Sequence, residues 1–155
     1  MIILAKESRG RMETQIIIDP RDLLPPDWQY YNYSLEKSMH PKILEIYGKL
    51  KEMFPDIWVN FLNGKKINNW AGLRSPACAV GTPNSYHKRG MALDLHMPQI
   101  KMHLLCDFCL SSEALEIGIK RVENYDFTLT WVHIDVGEPN PDKWKDKSKP
   151  YVFIP

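Results

Sequence analysis

The stretch Ile117-Gly-Ile-Lys-Arg-Val-Glu123-Asn-Tyr-Asp-Phe-Thr-Leu129-Thr-Trp131-Val-His133-Ile-Asp135-Val136 decides how the chain folds. Its two halves, Ile117 to Glu123 and Leu129 to Val136, are rich in β-branched and aromatic residues, and Asn-Tyr-Asp-Phe between them suits a short turn, so they are predicted to form an antiparallel hairpin. Side chains alternate along a strand, which places Trp131, His133 and Asp135 on one face.

Upstream, residues 99–116 are predicted as one helix, with Ile100, Leu104, Leu105 or Cys106, and Cys109 or Leu110 inward. Residues 65–93 read as loop because Gly72, Pro76, Gly81, Pro83 and Gly90 interrupt any long element. Ile57 to Leu62 is a short strand that stops at the turn Asn63-Gly64. A firm helix precedes it: Ser38 can cap it, Pro41 falls in its first turn, and Ile43, Ile46, Tyr47, Leu50 and Phe54 repeat at helical spacing before Pro55 ends it. Residues 1–37, with Pro20, Pro25, Pro26 and the tyrosines 30, 31 and 33, read as an extended arm packed on the body. Residues 137–155 read as a wrapping tail, its lysines 143, 145, 147 and 149 solvated. Helices set apart from hairpins, without β-α-β alternation, indicate a single α+β domain over 1–155, a small antiparallel sheet with helices packed on it and a core over 38–136.

Composition narrows the partners. Of 155 residues, 44% are apolar and 25% charged, and 20 Lys+Arg against 19 Asp+Glu leave a formal charge of +1, which excludes a disordered chain and a global field for polyanions. Neither nucleic-acid binding nor membrane insertion is expected. The apolar opening Met1 to Ala5 meets Lys6, Glu7, Arg9 and Arg11 too soon for a signal-peptide core, so a cytoplasmic location as made is expected. Cys78, Cys106 and Cys109 are an odd set read as reduced, buried thiols; the alternative, a redox pair Cys106/Cys109, would require an accessible thiol of low pKa.

Two segments can carry chemistry: Ser85-Tyr-His87-Lys-Arg-Gly90-Met-Ala92-Leu-Asp94, and Trp131-Val-His133-Ile-Asp135. Two imidazoles and one carboxylate suffice for a catalytic zinc that keeps a fourth position for water, and His87, Asp94 and His133 are the candidate ligands. Against this stands the plain alternative that each is a surface or satisfied core side chain.

The ordered set Ser-x-His-x-x-Gly-x-Ala-x-Asp, then Trp-x-His-x-Asp, resembles the zinc D-Ala-D-Ala carboxypeptidase family, whose members include cell-wall D,D-peptidases and phage L-alanyl-D-glutamate endolysins and which shares its fold with the hedgehog signalling domain. Trp70-Ala-Gly72-Leu-Arg74-Ser75-Pro76 and Ala79-Val-Gly-Thr-Pro-Asn84 extend the likeness to about residues 38–136. The resemblance implies a hedgehog-like fold, one Zn2+ per chain on His87, Asp94 and His133, and hydrolysis of a peptidoglycan peptide next to a D-amino acid. It implies that Arg74 polarises the scissile carbonyl or holds substrate, that Ser85 orients a loop or ligand, and that Gly90 and Ala92 keep the backbone close to the metal. A wall substrate without an export signal implies a phage or prophage lysin released through a holin, or a virion component, or a cytoplasmic murein-recycling enzyme.

One departure matters. Many members carry a glutamate three residues before the last zinc histidine as general base, and here Thr130 stands there. Glu123 or Asp135 can replace it, or no side chain does; Glu123 reaches the His133 face only if an odd number of residues separates it from its cross-strand partner. His96, two residues after Asp94, is a rival ligand or transition-state donor, whereas His40 and His103 are assigned no role. The alternative function, motivated by Thr130, is a catalytically inactive zinc-binding or structural module of the same fold. The bond cut, carboxypeptidase against endopeptidase action and the oligomeric state stay open at this level.

Overall fold

The computed structural model describes residues 2–4 and 16–155; Met1 and residues 5–15, including the basic residues expected to end the apolar opening, lie outside the described part. The chain is α+β. Strand β1 (Ile2–Leu4) pairs antiparallel with β2 (Ile16–Ile18), and two single-turn helices follow, α1 (Pro20–Leu23) and α2 (Leu35–Ser38). The segment expected as an extended arm therefore holds helical turns, and Leu23, Leu24 and Leu35 are buried in the main core. Asp19 and Ser34 cap the two turns through their side chains.

Helix α3 (Pro41–Met53) is the expected one, with Ile43, Ile46, Tyr47 and Leu50 buried. Its cap is His40, whose Nδ1 accepts from the Lys42 amide at 3.2 Å, not Ser38, which closes α2. The helix stops at Phe54 because the ring of Pro55 disfavours helical geometry in the residue before it. Beyond it the run 57–62 is mostly irregular: Ile57 and Val59 are buried, Trp58 forms a single antiparallel bridge with His96, and β3 (Phe61–Leu62) pairs with β4 (Lys65–Lys66), across Asn63 and Gly64 at φ 51° and 75°. Asp22 explains why this run needs no longer ladder. Its Oδ1 accepts the amides of Val59, Asn60 and Phe61 at 3.1, 2.9 and 2.8 Å, and its Oδ2 accepts the hydroxyl of buried Tyr47.

The principal sheet has the order β5-β7-β6-β8, with β5 (Ala92–Leu95), β6 (Arg121–Glu123), β7 (Val132–Asp135) and β8 (Tyr151–Phe153). The first three pair antiparallel, but β8 joins β6 in parallel, so the sheet is mixed rather than purely antiparallel. The tail thus ends in a strand, returned to the sheet after the turn-rich segment 137–150. The predicted hairpin exists in shortened form: residues 112–117 are helical and a 3-10 turn over Tyr125–Phe127 precedes β7.

The single helix expected over 99–116 is two, α4 (Met102–Cys109) and α5 (Ser112–Ile117), because Ser111 caps α5 by accepting the Ala114 amide. The inward set shifts accordingly: Met102, Leu105, Cys106 and Cys109 are buried, while Ile100 and Leu104 are exposed. No helix among the described residues is long and apolar enough to cross a membrane.

Candidate metal centre

His87 lies on a 3-10 turn, Tyr86–Arg89, that Gly90 terminates at φ 65°. A Cβ on Gly90 would fall 2.1 Å from the Ser38 carbonyl oxygen, so only glycine lets this turn sit against the α2 end and aim His87 inward. Asp94 comes from β5 and His133 from central β7, and the register pairs the two directly. Hydrophobic packing of the opposite face, with Leu93, Leu95, Val132 and Ile134 buried, holds both strands in that register.

The three side chains converge. His87 Nε2 is 3.1 Å from Asp94 Oδ1 and 3.2 Å from His133 Nδ1, and His133 Nδ1 is 2.8 Å from the same Asp94 oxygen. The outer nitrogens fix the tautomers. His87 Nδ1 lies 2.8 Å from the Gly72 carbonyl, which can only accept, so the proton sits on Nδ1. His133 Nε2 lies 3.3 Å from Asp135 Oδ2, also an acceptor, so its proton sits on Nε2. Two imidazole lone pairs and a carboxylate oxygen then face one point with no donor between them, an arrangement that repels itself unless positive charge occupies that point. The donor set suits a divalent cation, and two nitrogens with one oxygen suit zinc. A proton is the competing occupant: burial alone would lower the His133 pKa, but hydrogen bonds and charges from Asp135 and Asp94 together outweigh it and raise it to about 9. Burial would likewise raise Asp94, yet the two histidines hold its carboxyl far below the usual carboxylate range.

Around this group the other anticipated residues fall in different places. Arg74 donates from Nη2 to Asp94 Oδ2 at 3.0 Å and from Nε to the Trp70 carbonyl at 2.8 Å. It is an ion-pair partner of a carboxylate, and that carboxylate is the proposed ligand. Gly81, at φ 80°, packs between Arg74 and Ser85; a Cβ there would lie 3.1 Å from Arg74 Nη1 and 3.4 Å from Ser85 Oγ. Asp135 is fully buried and saturated: it accepts from Arg121 Nε at 2.8 and 3.1 Å, from Arg121 Nη2 at 2.9 Å and from the Gly137 amide at 2.9 Å. The Arg121↔Asp135 and Val122↔Ile134 pairs, continued by one step, set Glu123 opposite His133, so nine residues intervene and the odd-number condition is met. The half-buried Glu123 carboxylate makes no hydrogen bond or ion pair among the described residues, and burial raises its pKa against the lowering pull of His133. Thr130 is exposed ahead of β7. His96 is not one of the three converging groups; its ring stacks on Trp58 at 6.0 Å and 17°.

Three contributors went unnoticed in the sequence. Arg121 is held between the rings of Tyr86 and Phe153, 4.5 and 4.6 Å from their centroids, and Phe153 meets the His133 ring edge to face at 5.7 Å. The run Tyr151-Val-Phe-Ile154 after Pro150 had the composition of a strand and was the available signal for Phe153. Nothing local marked Arg121 as the partner of Asp135. Cys78, Cys106 and Cys109 are free and buried, and burial pushes the Cys106 and Cys109 thiols up. No protein-family model, no curated protein and no solved structure matches the chain.

Proposed function

We propose that the protein is a zinc-dependent peptidase of the D-Ala-D-Ala carboxypeptidase type, with a hedgehog-like fold, that cuts a peptidoglycan peptide next to a D-amino acid. The observation that carries this reading is the meeting of three lone pairs, on His87, Asp94 and His133, at the floor of a cleft of about 350 Å³ that also holds Arg74, Ser85 and Glu123. The motif order supports the substrate class. When bound, zinc supplies a Lewis acid that makes water a nucleophile near neutral pH.

The chain's own groups divide the remaining work. Glu123 is the carboxylate with no partner on the His133 face, so it takes the proton from the attacking water and passes it to the leaving amine. It performs the task that Thr130 cannot, which favours catalysis over an inactive module. Arg74 is fixed by Asp94 and the Trp70 carbonyl and, through its remaining N–H groups, donates hydrogen bonds to the oxygen that gains negative charge as water adds. Asp135, saturated by Arg121, orients His133 rather than moving protons.

The test is digestion of purified peptidoglycan by the zinc-loaded protein with products read by mass. Release of peptide that a chelator abolishes and zinc restores is the expected result. Stoichiometric zinc with no product from any wall preparation would instead establish an inactive binding module.

A further inference from the structure

Two hollows border Asp94, the carboxylate of the His87–Asp94–His133 group. One, of about 350 Å³, extends toward Ser85, Glu123 and Phe153; the other, of about 270 Å³, extends toward Asn69, Trp70 and His96. Arg74, Asp94 and Trp131 line both, so a hollow lies on either side of the Arg74–Asp94 pair. An enzyme that trims terminal residues must receive a free α-carboxylate beside the scissile bond, and burying that charge requires a cation that is not already neutralised.

Neither hollow offers one among the described residues. Arg74 is paired with Asp94, Arg121 is paired with Asp135 through three short contacts, and Glu123 adds a further negative charge to the first hollow. The second hollow has no charged lining residue of its own, only Arg74 and Asp94 shared with the first. Its walls are indoles and amides, with the His96 ring among them. His96 is held in place on both sides of its backbone, donating to the Trp58 carbonyl at 2.8 Å and accepting the Trp58 amide at 2.9 Å, with its ring stacked on the Trp58 indole. An imidazole, an amide and two indole faces suit the uncharged backbone of an extended peptide.

We propose that the substrate runs through both hollows and is cut at an internal bond, with Asn69, Trp70, His96 and Trp131 forming a second subsite for uncharged peptide. This endopeptidase assignment rests on the peptidase reading above. The step needs no co-reactant: water oxygen bonds to the acyl carbon, the C–N bond breaks, and the two water hydrogens end on the new acid and amine.

Two peptides decide it, L-Ala-γ-D-Glu-L-Lys-D-Ala-D-Ala with a free C-terminus and the same peptide as its C-terminal amide, each incubated with the zinc-loaded full chain. Cleavage of both at the same internal bond, with kcat/KM equal within about threefold, is expected. Asn69→Ala, at an exposed position, and His96→Gln are each expected to raise KM about tenfold, the loss of one hydrogen bond, with kcat nearly unchanged. Removal of a single D-Ala from the free acid alone would overturn the endopeptidase assignment and leave a peptidase. Unchanged KM in both variants would overturn the second subsite. No cleavage of either peptide or of whole peptidoglycan would overturn the peptidase reading and this inference together.

Discussion

Asp135 follows His133 by two residues on β7, and its Oδ2 lies 3.3 Å from His133 Nε2 while both its oxygens accept from Arg121. The period of two makes this possible: residues i and i+2 of a strand share a face, so one carboxylate can lock the tautomer of the imidazole beside it. Tyr86 and Phe153 sandwich the arginine that locks the carboxylate. Ligand orientation is therefore built outward from the sheet in three layers.

Weakening the middle layer should show in metal affinity before it shows in fold. Asp135→Asn offers an amide where His133 Nε2–H needs an acceptor. Zinc affinity, measured by competition with a chromogenic chelator, should drop about 10- to 100-fold while the far-ultraviolet circular dichroism is retained. Unchanged affinity would mean that Asp135 serves packing alone.

Glu123 gives the pH dependence its sign. Its pKa is raised, mainly by burial, and the ionised form is the proposed base, so activity should climb with pH on an acid limb displaced above the ordinary carboxylate range. Glu123→Gln should lower kcat about 10²- to 10⁴-fold and abolish that limb. Stability moves the other way. An acid whose folded pKa is raised opposes folding once pH exceeds its unfolded value, so the wild type loses stability as pH rises through the window between the two, and Glu123→Gln should melt at least as high as wild type at pH 7. A lower melting temperature for the variant would contradict the raised pKa.

The fold was legible where local physics decides it. Helix α3 followed from its periodicity and Pro41, the Asn63-Gly64 turn from its dipeptide, and the His133–Asp135 face from strand alternation. The break between α4 and α5 was not, because Ser111 reads equally well as a helical residue or as a cap until packing selects one. The convergence of His87 with Asp94 and His133 came from motif order, since no local rule brings residues 46 apart to 3.2 Å. Asp22, Arg121 and β8 were hidden for the same reason: the partners of Asp22 and Arg121 lie 14 to 39 residues away, and β8 meets β6 only after a long irregular tail.

Asp22 offers a test of the fold independent of any metal. Asp22→Ala would leave three backbone amides and the Tyr47 hydroxyl without their acceptor and should cost about 4 kcal/mol, lowering Tm by about 10 °C. Asp22→Asn keeps one acceptor oxygen and should cost less. Equal melting temperatures for wild type and Asp22→Ala would show that the clamp contributes nothing.

The cysteines discriminate against redox chemistry. Cys78, Cys106 and Cys109 are all under 10% exposed, so labelling with 5,5′-dithiobis(2-nitrobenzoic acid) should be slow in the native protein and reach all three thiols in denaturant. Rapid native labelling of Cys106 would restore the redox alternative.

The most direct measurement is zinc content after equilibrium dialysis of the full chain, wild type beside His87→Ala and His133→Ala, with each variant's fold checked by circular dichroism. One zinc per folded wild-type chain and almost none in either folded variant is the outcome required if His87, Asp94 and His133 close on a single cation. A wild-type protein that returns from excess zinc empty, or variants that hold as much as it does, would contradict it.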